Sequence, residues 1–139
     1  MLRALDISSS ALVAQRIRMD AISSNLANIS TTHNEAGEPV PYQPRFVVFQ
    51  TDPNVGASGA PGVKVSSVGI SKVEPRMKYE PGNPDAIKEG PHKGYVAYPN
   101  INMMVEFTDA MEAARAYEAN LGAMEITKDL QQQTLKIIA

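Results

Sequence analysis

Leu5, Leu12, Met19 and Leu26 stand seven residues apart, with Ile22 and Ile29 filling the places between them. Seven-residue recurrence keeps one seam of a helix turned toward a neighbour. It predicts a helix from about Asp6 to about Asn28, with Asp6 or Ser8 capping its start. Near the other end Met104, Phe107, Met111, Ala114, Tyr117, Leu121 and Met124 recur at spacings of three and four. A second helix is therefore expected from Asn100 or Asn102 to about Ile138, roughly 50 Å long at 1.5 Å per residue. Chain ends usually fray in water. Here they carry the strongest packing signal in the sequence, which points to assembly rather than catalysis.

Between the helices the pattern changes. Asn28-Ile29-Ser30-Thr31-Thr32-His33-Asn34 should end the first helix, because Asn, Ser and Thr compete for backbone hydrogen bonds. Prolines 39, 41 and 44 turn the chain repeatedly. Arg45 to Gln50 is the clearest strand, rich in β-branched and aromatic residues, and Gly62 to Val68 alternates as a half-buried strand should. Ile70 to Val73, Met77 to Tyr79 and Tyr95 to Tyr98 are shorter strand candidates. Asp52 to Gly62 reads as a mobile loop, and Glu80-Pro81-Gly82-Asn83-Pro84-Asp85 as a turn. The expected fold class is α+β: long terminal helices packed as a coiled-coil-like pair in a tubular assembly, with a small β-rich, loop-rich middle. The expected segments are 1–34, 35–99 and 100–139.

On a helical projection the last third shows two apolar strips. Phe107, Met111, Ala114, Tyr117, Leu121, Met124, Leu135 and Ile138 form one, and Ala119, Ala123, Ile126, Leu130 and Ile137 the other. A ridge of Glu118, Glu125, Asp129 and Lys136 separates them. One strip suffices to pack a helix on its own domain. The second implies neighbours on another side, because each buried Leu or Met is worth about 1.5–3 kcal/mol and exposed groups of them mark interaction surfaces. Asn25, Asn28 and Asn120 lie in or beside these seams, where a polar residue can set register and partner; the alternative for Asn28 is a solvent-facing helix cap. Gly122, inside the second helix, costs about 1 kcal/mol relative to Ala unless a neighbouring backbone needs the space.

Composition narrows the function. The chain is 43% apolar and 20% charged, ordinary for a folded domain, and its net charge of −2 with interspersed signs offers no basic face for nucleic acid or anionic lipid. No apolar run approaches the roughly 20 residues that span a bilayer, and the start lacks an apolar signal-peptide core. The absence of cysteine excludes disulfides and thiolate metal sites. His33 and His92 stand alone in polar loops, whereas zinc needs three or four convergent ligands. Asp52, Glu80, Asp85 and Glu89 lack the alternating pattern of a calcium loop, and Ser8-Ser9-Ser10 has no nucleophile-elbow setting. No catalytic constellation and no cofactor is expected.

Ser24-Asn25-Leu26-Ala27-Asn28 closing the first helix, together with Arg115-Ala116-Tyr117-Glu118-Ala119-Asn120 in the second, resembles the bacterial flagellar axial proteins of rod and hook. Within them the chain is most similar to the small proximal-rod proteins, through Ala4-Leu5-Asp6-Ile7-Ser8, Ala14-Gln15-Arg16-Ile17-Arg18-Met19-Asp20, Val47-Val48-Phe49, Gly62-Val63-Lys64-Val65, Tyr79 to Asp85 and Gly94-Tyr95-Val96-Ala97. The likeness covers nearly the whole chain. Glu89-Gly90-Pro91-His92-Lys93 looks like a small insertion, and the segment after Thr32 departs from the usual pattern.

The resemblance implies a non-enzymatic subunit of the periplasmic drive shaft, exported without a cleavable signal peptide by the flagellar export machinery and incorporated where it folds. Its partners would be other copies, other rod proteins, and the export-gate adaptor and membrane-embedded MS ring at the rod base, with no nucleic acid and no membrane span of its own. The expected assembly interface comprises Leu5, Leu12, Met19, Ile22, Asn25, Leu26 and Asn28 on the first helix. On the second it comprises Phe107, Met111, Tyr117, Asn120, Leu121, Met124, Ile126, Leu130, Leu135 and Ile138. The other reading of the same amphipathic ends is a soluble helical adaptor that docks a partner of the export apparatus transiently.

Overall fold

The computed structural model describes residues 2–55 and 60–138, with the side chains of Leu2 and Ile138 outside the description. The chain runs α1 (Leu2–Ala27), β1 (Arg45–Asp52), β2 (Gly62–Ile70), β3 (Arg76–Tyr79), β4 (Tyr95–Tyr98) and α2 (Met103–Ile138). It is an α+β arrangement of two helices and two small antiparallel sheets.

α1 begins about a turn earlier than expected. Arg3, Ala4 and Leu5 are good helix formers and carry the helix past Asp6 and Ser8, so neither caps it. Its end is held by side chains that add to the last backbone bonds: Asn28 Nδ2 donates to Ser24 O at 2.9 Å beside its own amide, and Thr31 Oγ1 donates to Asn28 Oδ1 at 3.0 Å. α2 opens on a true cap, with Asn102 Oδ1 accepting from the amides of Met104 and Val105 at 3.0 and 3.4 Å. Its 36 residues make it about 54 Å long.

The helices pack antiparallel. Asn25, near the end of α1, meets Glu106 near the start of α2, while Arg18, two turns earlier, meets Asp109 and Glu112. The seam is made of small residues: Ala14 and Ala21 are buried on α1, and Ala113 on α2 is fully covered. Small side chains let two helix backbones approach closely.

β1 and β2 form a hairpin running from Arg45↔Ile70 to Asp52↔Gly62, with a bulge between Val48 and Phe49. Val47, Phe49, Val63 and Val65 are half-buried, and Ser10 Oγ of α1 accepts from the Val63 amide at 3.1 Å, tying the hairpin to the helix. Ile70 closes β2 instead of opening a separate strand, since the next amide, on Ser71, bonds back to Pro44 O at 2.7 Å. The loop expected between Asp52 and Gly62 lies partly outside the described residues.

β3 and β4 pair from Arg76↔Tyr98 to Tyr79↔Tyr95, closing a second hairpin over the buried Val96. Its long connection folds back on itself through Glu80 N to Gly94 O and Gly94 N to Ile87 O, both 2.9 Å. Gly94 is required there: its φ is +83°, and a Cβ would stand 2.8 Å from the Tyr79 ring. Glu80 anchors the turn by accepting from Lys78 Nζ, Asn83 Nδ2 and Tyr98 Oη at 2.6, 2.9 and 3.0 Å, and these bonds hold its carboxyl down at about 2. Thr32 Oγ1 donates to Asp85 at 2.8 Å and links this turn to the exit of α1.

Candidate assembly interface

The sequence places a polar residue in the α1 seam, and the structure shows what it does. Asn25 is 2% exposed and uses both ends of its amide. Oδ1 accepts from the Arg45 amide at 2.8 Å and from Tyr42 Oη at 3.1 Å. Nδ2 donates to Arg45 O at 2.9 Å and to the Glu106 carboxylate at 3.2 and 3.3 Å. Ser24 Oγ lies 3.1 Å from Tyr42 Oη. One side chain therefore fastens α1 to the entry of β1 and to the start of α2. A buried amide with all its bonds made is specifying, because any other register would leave it unpaired.

Glu106 is the charged member of this clamp. Partial burial lifts its carboxyl above the ordinary value; the Asn25 amide pulls the other way, and Asp109 adds to the rise. Arg18 spends its guanidinium on Asp109 at 3.6 Å and Glu112 at 3.1 Å.

The α2 face that meets α1 is small and polar: Glu106, Asp109, Ala113, Ala116 and Asn120 lie along it and are buried or half-buried. Tyr117 and Met124 flank this face and are half-buried, while most of the large apolar side chains lie elsewhere. Among the described residues, Met103, Met104, Val105, Phe107, Met111, Leu121, Ile126, Leu130, Leu135 and Ile137 are all exposed on α2, against Val13 alone on α1. At about 100° per residue, Phe107, Met111 and Leu121 fall on one side of the seam, and Ile126, Leu130 and Ile137 on the other.

The pairing also leaves α2 longer than its partner. Stepping antiparallel from Asn25–Glu106, Leu2 comes level with about residue 129, so roughly nine residues of α2 extend past α1. Leu135 points along the seam but beyond its reach, and is 61% exposed; Ile137 is 85% exposed.

The expected interface residues thus divide. Ile22 and Asn25 are buried within the chain; Leu5, Leu12, Met19, Leu26, Asn28, Tyr117, Asn120 and Met124 are half-buried; Phe107, Met111, Leu121, Ile126, Leu130 and Leu135 are exposed. The Ile138 side chain lies outside the described residues. Asn28 and Asn120 bond within their own segments, Asn120 Nδ2 donating to Ala116 O at 2.7 Å. Sequence reasoning missed Met103 and Val105, legible in the apolar run Met103-Met104-Val105 behind the Asn102 cap. It also missed Tyr42 and Glu106 in the clamp, whose meeting across 17 and 81 residues no local spacing records. His33 is half-buried with Nδ1 3.6 Å from Asp85, and His92 is exposed. No helix among the described residues is long and apolar enough to cross a membrane.

Two helical ends with unspent apolar flanks, clamped around a small β-rich middle, define a class of axial building block, and the comparisons agree. Residues 5–33 match the family described as Flagella basal body rod protein, and residues 92–137 the family described as Flagellar basal body rod FlgEFG protein C-terminal. Similar proteins include the flagellar basal-body rod protein FlgC of Bacillus subtilis, 39% identical over 96% of this chain and 95% of that one. The FlgC of Salmonella typhimurium is 38% identical over 99% and 97%, and that of Borreliella burgdorferi 35% identical over 96% and 95%. The chain belongs to the FlgC family and is a structural subunit of the flagellar basal-body rod.

Proposed function

We propose that the two apolar flanks of α2, with the half-buried outer positions of α1, are the surfaces by which this subunit is built into the proximal rod. Segments 1–34 and 100–139 would form the shaft, as paired helices in a tube, and 35–99 would face outward. The subunit joins copies of itself and other rod proteins, with the export-gate adaptor and MS ring at the rod base, in a periplasmic drive shaft that passes torque from motor to hook. It reaches that place through the flagellar export machinery. It does so mechanically, not as an enzyme: interlocked apolar helices resist shear because sliding one past another exposes buried surface to water.

The observation that carries this reading is the row of large apolar side chains on α2 that the single chain leaves exposed. Leu121→Asp and Leu130→Asp test it. Both positions are exposed in the single chain, so each purified variant should stay folded and lose no more than about 1 kcal/mol, much of it helix propensity. Incorporation into rods, and swimming, should be lost while expression and export persist. Motile cells carrying either change would overturn the reading.

A further inference from the structure

Three of the chain's seven methionines, Met103, Met104 and Met111, fall within nine residues. They are 48, 73 and 57% exposed, whereas Met19, Met77 and Met124 are half-buried. Met104 and Met111 stand seven residues apart on α2 and so lie along one line of its surface, with exposed Phe107 between them. At about 100° per residue each lies roughly 160° round the helix from a seam position, Met104 from Glu106 and Met111 from Ala113. The line therefore faces away from α1.

With no cysteine in the chain, the methionine thioethers are its only sulfur groups. Hydrogen peroxide oxidises a thioether by oxygen transfer. The sulfur lone pair takes one peroxide oxygen, an S–O bond forms as the O–O bond breaks, and the other oxygen leaves as water. Sulfur gives up two electrons and peroxide accepts them. The product, a sulfoxide, turns a flexible apolar side chain into a polar one and is reversed by methionine sulfoxide reductases. Access to the sulfur sets the rate, so the fold shields Met19, Met77 and Met124 and presents Met104 and Met111. Leucine would supply an apolar contact of similar size without this reactivity.

We propose that Met104 and Met111 form a sulfoxidation site: a subunit oxidised there by hydrogen peroxide before assembly is kept out of the rod until a reductase restores the thioethers. The inference rests on the assembly reading above and adds a chemical modification that turns that surface off. In the single chain both sulfoxide oxygens stand in water, so the fold is untouched. Against a neighbouring subunit each oxygen must find a donor or lose its hydration, which opposes the contact. The effect therefore falls on incorporation and not on the stability of the chain.

The test begins with peptide mapping of the purified full chain after limited hydrogen peroxide. Met104 and Met111 should oxidise at least about threefold faster than Met19, Met77 and Met124; equal rates would overturn the proposal. Met104→Gln combined with Met111→Gln then places a permanent polar group at both positions. The purified variant should melt with the parent, since both sites are exposed and Gln matches Met in helix propensity. Its incorporation into rods should fall at least about tenfold. Incorporation equal to the parent would overturn the proposal, and would leave the assembly reading standing if Leu121→Asp still failed; if both assembled, both would fall. Met104→Leu combined with Met111→Leu removes the sulfur and keeps the apolar surface. In cells lacking methionine sulfoxide reductases and building rods in sublethal peroxide, the parent should assemble at least about tenfold fewer rods than this variant, and without peroxide the two should match. Equal sensitivity to peroxide refutes the proposal. Poor assembly of the leucine variant without peroxide also counts against it, because the thioethers would then serve packing alone.

Discussion

α1 turns Ala14, Ala21, Ile22 and Asn25 into its own chain and leaves Val13 as its one large exposed apolar side chain among the described residues, whereas α2 leaves ten exposed. Both are amphipathic helices of one antiparallel pair, so amphipathicity alone does not explain the difference. The contact is built from alanines and hydrogen-bonded polar groups: Ala113 is fully covered where the helices cross, and Asn25 and Arg18 bridge to the acids of α2. Close, small-residue packing holds the pair together while using only Tyr117 and Met124, half-buried, among the bulky side chains along the middle of α2. The pair is therefore divided: α1 turns its apolar side chains inward, and α2 leaves ten large ones exposed, the surfaces proposed above for neighbouring subunits.

The comparison breaks hardest at Asn25. Asn25→Ala removes the acceptor for the Arg45 amide and the Tyr42 hydroxyl together, leaving buried polar groups unpaired, and should cost about 2–3 kcal/mol in urea unfolding of the purified chain. A loss below about 0.5 kcal/mol would show that the clamp does not set the fold. Ala113→Leu comes next. At a fully covered site the added bulk must force the helices apart, costing about 1–3 kcal/mol, measurable as a lowered melting temperature.

Gly122 sharpens the same contrast with a gain instead of a loss. A Cβ there meets nothing within 4 Å in the single chain, so Gly122→Ala should stabilise the isolated subunit by about 1 kcal/mol. If a neighbouring helix uses that gap, the stabilised variant will nevertheless incorporate less well; normal incorporation would show a glycine tolerated without a role.

The smallest effect lies away from both helices. Glu80 has its carboxyl lowered from 4.5 to about 2 by bonds from Lys78, Asn83 and Tyr98. A lowered acid supports the fold above its unfolded value and loses that support as pH falls through its folded one. Protection of the amides around Asn83 and Tyr98, corrected for their intrinsic exchange rate, should therefore fall between about pH 4.5 and 2, without an equal change at Asn25. Simultaneous loosening would join regions that the structure keeps separate.

Much of the architecture was legible beforehand because secondary structure answers to local spacing. The heptad of Leu5, Leu12, Met19 and Leu26 marks α1, the Asn102 cap marks the start of α2, and Tyr95 to Tyr98 is β4 as expected. Boundaries slipped where local signals compete: Asp6 looked like a cap, but the good helix formers before it extend the helix. The two apolar strips of α2 were visible too, as a surplus that one helix partner does not use.

What the amino-acid order settled by itself is the kind of element at each place, and that α2 has more apolar flank than a single neighbour needs, since period and composition are properties of the chain alone. Which face of α2 meets α1 was decided only in three dimensions. A helical period says that a face is apolar, not that a smaller, more polar face will pack first. That choice follows from Asn25, Tyr42, Arg45 and Glu106 coming together from distant positions, where each hydrogen bond requires the others to be in place.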